Sequence, residues 1–314
     1  AKIKQGYPEP EDFDQYWSGL LKRQAEIKDP VKCEPLPDTA GAPGYNYYKL
    51  TISTIDNGKT YGFLGVPKGK GPFSAYVQVI AAGSGYDGPD PKFIRPDTIT
   101  LALNVHPFPP EDIKKSFNPK YHDIGAEDRD SYYFRNAILG TYTAVEWLTN
   151  RPDYNKKELV YLGSSQGGGF GIFLAGLQHK FTAVAVAVPA LGNHGGSLND
   201  NAAGWPMLVQ NLAGNDNEKK ERILKASSYY DTANFAKRIR CPVLFSVGFI
   251  DYTCRPSSVY AAYNNVKSPK MILNQYKEGH AVSWEALNGL WQWTQNFLPE
   301  EHRFDLKYYN YYLQ

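Results

Sequence analysis

The run Leu159-Val160-Tyr161-Leu162-Gly163-Ser164-Ser165-Gln166-Gly167-Gly168-Gly169-Phe170 passes from a short β-leaning apolar segment, through Gly-x-Ser-x-Gly, into a stretch with helical spacing. A strand that turns directly into a helix around a serine is the nucleophile-elbow pattern, in which the turn is too tight for flanking side chains and the hydroxyl projects from the sheet edge. Gly163 and Gly167 give the backbone room. The N–H of Gln166, at the start of the following helix, then points to where an oxyanion would develop. Glycine and serine are common, so the five residues alone do not separate an elbow from an ordinary Gly-rich turn.

What separates them is the order of later residues. A serine hydrolase on an open α/β sheet needs an acid and then a histidine, each just past a late strand. Pro242 to Gly248 reads as a buried strand, and Phe249-Ile250-Asp251 delivers a carboxylate past its end. Met271 to Tyr276 is the next strand-like run, and Lys277-Glu278-Gly279-His280 places an imidazole beyond it. Ser165, Asp251 and His280 in that order predict an α/β-hydrolase fold: a mostly parallel central sheet with helices on both faces.

Other residues have simpler explanations. His106, His122 and His194 fall in loops that could rim a pocket, but an isolated histidine is more often a hydrogen-bonded structural residue. His179 sits at a helix end, where its charge suits the dipole, and His302 follows the last helix. Asp231 reads as the cap of a short helix, and Asp128 and Asp130 precede the serine and have the wrong order. Gly83-Ser84-Gly85-Tyr86-Asp87-Gly88 satisfies G-x-G-x-x-G, the dinucleotide fingerprint, yet Pro89, Pro91 and Pro96 break the helix that the fingerprint must open. In a hydrolase the same loop supplies the second oxyanion donor, and Ser84 or Tyr86 is expected to carry that N–H. Trp205, Tyr252, Phe108 and His106 are the candidates for substrate contact near the active face.

Along the chain, Phe13, Tyr16, Trp17, Leu20 and Leu21 predict an amphipathic helix within an N-terminal helical extension, 1–44. Tyr45 to Ile55 and Thr60 to Val66 predict a hairpin turning at Asp56-Asn57-Gly58. Residues 192–225 mix Gly and Asn with Trp205 and read as a lid or a surface insertion. A chain of 314 residues, 42% hydrophobic and 21% charged, can bury one substantial core, and 1–314 is expected to form one domain. A net charge of +2, with Lys and Arg scattered, gives no stripe for nucleic acid and no polybasic cluster for a membrane surface. No apolar run reaches membrane-spanning length. Cys33, Cys241 and Cys254 are odd in number and lack Cys-x-x-Cys spacing, so neither a disulfide framework nor a zinc site is expected. The opening Ala1 in place of Met reads as processing or trimming and leans toward a periplasmic or secreted protein, with the cytoplasm as the alternative.

Several separated stretches resemble the acetyl xylan esterase and cephalosporin-C deacetylase family of carbohydrate esterases, a branch of the α/β-hydrolases. They are Pro10 to Trp17, Asp130 to Arg135, the box Gly163-Ser164-Ser165-Gln166-Gly167-Gly168, Val247 to Asp251 with Pro256 to Asn264, and Gly279-His280. The chain departs from the family pattern in having His106-Pro107-Phe108 where Arg-Gly-Gln is usual, Gly140 where Asp is common, and Ala281 after the histidine, which marks a divergent branch. The resemblance implies a serine esterase that releases acetyl groups from acetylated xylan, xylo-oligosaccharides and related small esters, works without metal or organic cofactor, and assembles as a homo-oligomer. Two rivals are a peptidase of the prolyl-oligopeptidase kind, against which no propeller-like repeat precedes the domain, and a catalytically silent glycan-binding homologue.

Overall fold

A computed structural model describes residues 2–37, 43–89 and 97–299. Nine strands occur among them: β1 (Val31–Pro35), β2 (Tyr45–Thr54), β3 (Gly58–Pro67), β4 (Phe73–Val79), β5 (Thr98–Leu103), β6 (Tyr154–Ser164), β7 (Ala183–Ala187), β8 (Val243–Gly248) and β9 (Lys270–Gln275). The helices are α1 (Phe13–Ala25), α2 (Ile113–Ser116), α3 (Phe134–Asn150), α4 (Gln166–Leu177), α5 (Leu208–Leu212), α6 (Asn217–Ser228), α7 (Thr232–Ala236), α8 (Pro256–Asn265) and α9 (Trp284–Gln295). Pro91, Pro96 and His302 lie outside the described residues.

The strands form one sheet in the order β1-β2-β3-β5-β4-β6-β7-β8-β9. From β5 to β9 every neighbour is parallel, while β1, β2 and β3 run antiparallel to their neighbours. Because successive strand residues point to opposite faces, each central strand feeds two cores. Tyr161, Val184, Val186 and Phe245 join α1, α3, α4 and α8 on one face. Val160, Leu162, Ala185 and Leu244 meet Leu290 and Trp293 of α9 on the other. This is the α/β-hydrolase architecture.

The hairpin forms as the sequence predicts. Asp56 and Asn57 both take positive φ, 57° and 58°, and Gly58 N–H donates to the Ile55 carbonyl at 3.1 Å, a turn whose twist matches the strands it joins. The first 44 residues depart from a purely helical extension. Val31 to Pro35 pairs antiparallel with β2 from Val31–Ile52 to Pro35–Tyr48, forming an edge strand. Residues 192–225 carry α5 and the start of α6, and Asn193 accepts the Gly6 N–H at 2.7 Å through its side-chain oxygen. Among the described residues no helix is long and apolar enough to cross a membrane. All three cysteines are free thiols.

Candidate active site

The site begins at the end of β6. Ser165 sits between β6 and α4 with φ 53° and ψ −121°, a conformation that a non-glycine residue holds only when its surroundings enforce it. They do so through the backbone. Ser165 N–H donates to the Ala187 carbonyl at 2.9 Å, and its own carbonyl accepts from Ala190 at 2.9 Å and Gly169 at 3.0 Å. The elbow is thereby fastened to the exit of β7. A Cβ on Gly167 would stand 2.2 Å from the Val79 carbonyl oxygen, so strand β4 can approach the helix start only because this residue is glycine.

Two further strand ends complete the constellation. His280 Nε2 lies 2.9 Å from Ser165 Oγ, and its Nδ1 lies 2.9 Å from Asp251 Oδ2. Asp251 is buried, with its other oxygen accepting backbone N–H groups from Thr253 at 2.7 Å and Cys254 at 2.9 Å. These donors orient the carboxylate so that its free oxygen faces the imidazole. The buried Cys254 thiol lies against this group, and burial, with the Asp251 charge second, holds it up in the neutral form. Ser165 and His280 open into a pocket of about 520 Å³ walled by Ala81, Ala82, Val188, Trp205, Val282 and Leu287.

The loop after β4 reaches this pocket through Ala81 and Ala82, not through the two residues expected from the sequence. Ser84 is exposed and stands off the pocket wall. The Tyr86 N–H is already committed to Asn104 Oδ1 at 2.7 Å, and Asn104 Nδ2 returns a bond to the Tyr86 carbonyl at 2.9 Å. Gln166 braces the same loop from the helix side. Its Nε2 donates to the Ile80 carbonyl at 3.2 Å, and its Oε1 accepts the Tyr121 hydroxyl at 2.5 Å. A side chain next to the serine therefore holds the opposite lip of the pocket. Nothing in residue type or spacing announced that bracket.

The expected substrate contacts divide. Trp205 lines the pocket, with its backbone N–H donating to the Thr253 carbonyl at 2.9 Å. His106 is instead a satisfied core residue, with one ring nitrogen 2.7 Å from the Tyr133 hydroxyl and the other 2.7 Å from the Gly83 carbonyl. Its burial lowers its proton affinity and suits a neutral ring. Phe108 stacks on that ring at 5.0 Å rather than facing the pocket. Tyr252 is 72% exposed on the acid loop with the Arg255 guanidinium over its ring at 4.7 Å, outside the pocket wall. His122 pairs with Asp123 at 2.8 Å and meets the edge of Trp205, a structural role. Asp231 caps α7 as expected, accepting from Ala233 at 2.9 Å.

An α/β-hydrolase sheet with a serine, a histidine and an aspartate hydrogen-bonded in series at its strand ends defines the class to which this protein belongs. Within that class the acetyl xylan esterase (AXE1) family matches residues 107–296, more than half of the chain, and the chain belongs to that family. It is 30% identical over 280 residues to the acetyl esterase Axe7A of Xylanibacter ruminicola, an alignment covering 84% of this chain and 62% of that one. The chain thus spans less than two thirds of that relative's length. Acetyl xylan esterase 1 from Thermoanaerobacterium sp. JW/SL YS485 superposes with a TM-score of 0.80 at 23% identity, covering 94% of this chain and 95% of its own. The acetyl xylan esterase from Paenibacillus sp. R4 gives 0.81 at 22%, covering 94% and 98%. At those identities the superpositions speak for the fold.

Proposed function

We propose that this chain is a serine carbohydrate esterase that removes acetyl groups from acetylated xylan or xylo-oligosaccharides and related small acetyl esters. The observation that carries the reading is the hydrogen-bonded series Ser165–His280–Asp251 opening into a pocket that a small ester can enter. Ser165 Oγ attacks the acetyl carbonyl while His280 Nε2 takes its proton, and Asp251 holds the Nδ1–H tautomer and stabilises the imidazolium. The same imidazolium protonates the departing sugar oxygen, leaving an acetyl-serine. Water, deprotonated by His280, then attacks that ester and releases acetate.

Each tetrahedral oxyanion needs N–H donors that are free of other bonds. Gln166 opens α4, and the first turn of a helix has N–H groups without intrahelical acceptors. The second donor falls to the Ala81-Ala82 segment, since the Ile80 N–H is spent on the Leu103 carbonyl at 3.0 Å and that of Tyr86 on Asn104. The loss of one such donor typically costs about 100- to 1000-fold in turnover.

The test is acetate release from acetylated xylo-oligosaccharides, compared with another acetylated glycan, by the wild-type chain and by Ser165→Ala. Wild type is expected to release acetate, and the variant to lose about 10⁴-fold or more in kcat while keeping its fold. Cleavage of an aminoacyl-proline amide without deacetylation would favour a peptidase. Binding of acetylated xylan by a protein whose Ser165 ignores an organophosphonate would favour a silent glycan-binding homologue.

A further inference from the structure

The segment leaving β5 holds the loop after β4 with two side chains. Asn104 brackets Tyr86, and two residues further on His106 reaches the Gly83 carbonyl. Gly83 takes φ 151°, and a glycine restricts its own backbone less than any other residue. The course of the loop just past Ala81-Ala82 is therefore set by partners outside it.

The direction of each bond follows from what its partners can do. The Gly83 carbonyl only accepts, so the His106 Nε2 at 2.7 Å carries the proton. Burial lowers the proton affinity of the ring, which leaves Nδ1 bare to accept the Tyr133 hydroxyl at 2.7 Å. On the other side of the same glycine, the Gly83 N–H is directed at the Tyr121 hydroxyl, which itself donates to Gln166 Oε1 at 2.5 Å. Gln166 Nε2 closes the series on the Ile80 carbonyl at 3.2 Å, with the Ala81 carbonyl at 3.5 Å. A carbonyl shares one rigid plane with the N–H of the next residue, so Gln166 holds the planes that carry the Ala81 and Ala82 donors. His106 pins the residue that follows them. It is 1% exposed and packed between the Phe108 ring at 5.0 Å and the Tyr121 ring at 4.8 Å, which keeps its Nε2 on the Gly83 carbonyl.

We propose that His106, as the neutral Nε2–H tautomer, is a positioning residue for the second oxyanion donor. The inference rests on the readings of Ser165 as nucleophile and of Ala81-Ala82 as the donor segment. It gives a task to the His106-Pro107-Phe108 stretch, by which the chain departs from the Arg-Gly-Gln usual in its family. Without the Gly83 bond, the donor N–H drifts from the place where negative charge develops. Transition-state stabilisation falls while binding of the ground-state ester does not.

The experiment compares wild type with His106→Gln, His106→Asn and His106→Phe on 4-nitrophenyl acetate. A Gln amide nitrogen reaches the level of the histidine Nε2, an Asn amide stops at the level of Nδ1, and Phe keeps a ring without a donor. His106→Gln is expected to stay within about threefold of wild type in kcat, and the other two to fall by about 10- to 100-fold with KM within about twofold. Nitrogen-15 NMR of the wild-type imidazole is expected to show Nε2 protonated and Nδ1 bare at neutral pH, whichever variants fold. Full kcat in His106→Phe, equal losses in His106→Gln and His106→Asn, a rise in KM that accounts for the loss, or an Nδ1–H tautomer overturns this inference alone. Wild type silent toward the ester, with Ser165 inert to an organophosphonate, removes the nucleophile reading and this inference together.

Discussion

At the scale of single residues, the geometry of the site depends on backbone groups being held as much as on the three side chains hydrogen-bonded in series. Gln166 shows this best, because it contributes in two separable ways. Its main-chain N–H is an oxyanion donor in the proposed mechanism and survives any substitution except proline. Its side chain ties the Ile80 carbonyl to the Tyr121 hydroxyl and so sets the position of the Ala81-Ala82 lip. Gln166→Ala is therefore expected to keep the donor but loosen its counterpart, lowering kcat by about 10- to 100-fold with a small change in KM, since misplacement by about an ångström carries a penalty of that order. Steady-state kinetics on a chromogenic acetyl ester read the split. A rise in KM at constant kcat would mean the side chain touches the substrate and does not position the loop. Ser165, Asp251 and His280 were legible in the sequence because order and strand-end placement are properties of the chain. Which N–H groups of the loop after β4 are left unbonded was not, since Asn104, which takes the Tyr86 N–H, lies 18 residues away in the chain.

At the scale of elements, the two aspartates that competed for the acid role are set apart by what surrounds each carboxylate. Asp251 offers one oxygen to His280, whereas Asp231 is consumed by the backbone: it accepts from Ala233 at the start of α7 and from Asn193 and His194 in the loop after β7. That side chain pins the 192–225 segment to α7. Asp231→Ala removes a helix cap, worth about 1 kcal/mol, and leaves two buried N–H groups without an acceptor at about 1–3 kcal/mol each. The expected loss is about 3 kcal/mol or more in chemical denaturation, with activity per folded molecule retained. The opposite pattern, full stability with lost turnover, would transfer the acid role to Asp231. The elements themselves were unevenly readable. The β2–β3 hairpin announces itself because its alternating pattern and its turn residues are local. β1 does not, because Val31-Lys32-Cys33-Glu34-Pro35 carries charge and proline, as edge strands do, and only the partner strand β2 makes it a strand. His106 was misplaced for a related reason: a histidine at a strand exit looks like a rim residue until the Tyr133 and Gly83 partners close around it.

At the scale of the whole molecule, the start of the chain is clamped both to the region just before β8 and to the segment just before α3. Glu9 meets Lys237 and Arg238, both at 2.8 Å, Asp14 meets Arg238 at 2.5 Å, and Asp12 meets Arg129 at 2.7 Å as well as the Tyr229 hydroxyl. The Arg238 guanidinium also covers the Phe13 ring at 4.4 Å, so the pairs fix α1 where its apolar face enters the core. These contacts differ in worth. Asp14 is 80% exposed at its side chain, and such a pair contributes little. Glu9 is only 23% exposed and shared by two cations. Burial by itself would raise the Glu9 carboxyl, but hydrogen bonds from Arg238 and Lys237, with their charge, bring it below the usual range, and Asp12 is lowered by Tyr229 and Arg129. A carboxyl whose folded value lies below its unfolded value, about 4 for Asp and Glu, stabilises fully above that value and stops doing so as pH falls through the folded one. Wild type should therefore lose thermal stability as pH drops below about 4. Glu9→Gln should melt lower than wild type at pH 7, and the gap between the two curves should narrow as pH falls below about 4 and the wild-type carboxyl takes up its proton. A gap of constant size from pH 7 to pH 3 would show that Glu9 acts through packing and that the N-terminal clamp is not electrostatic.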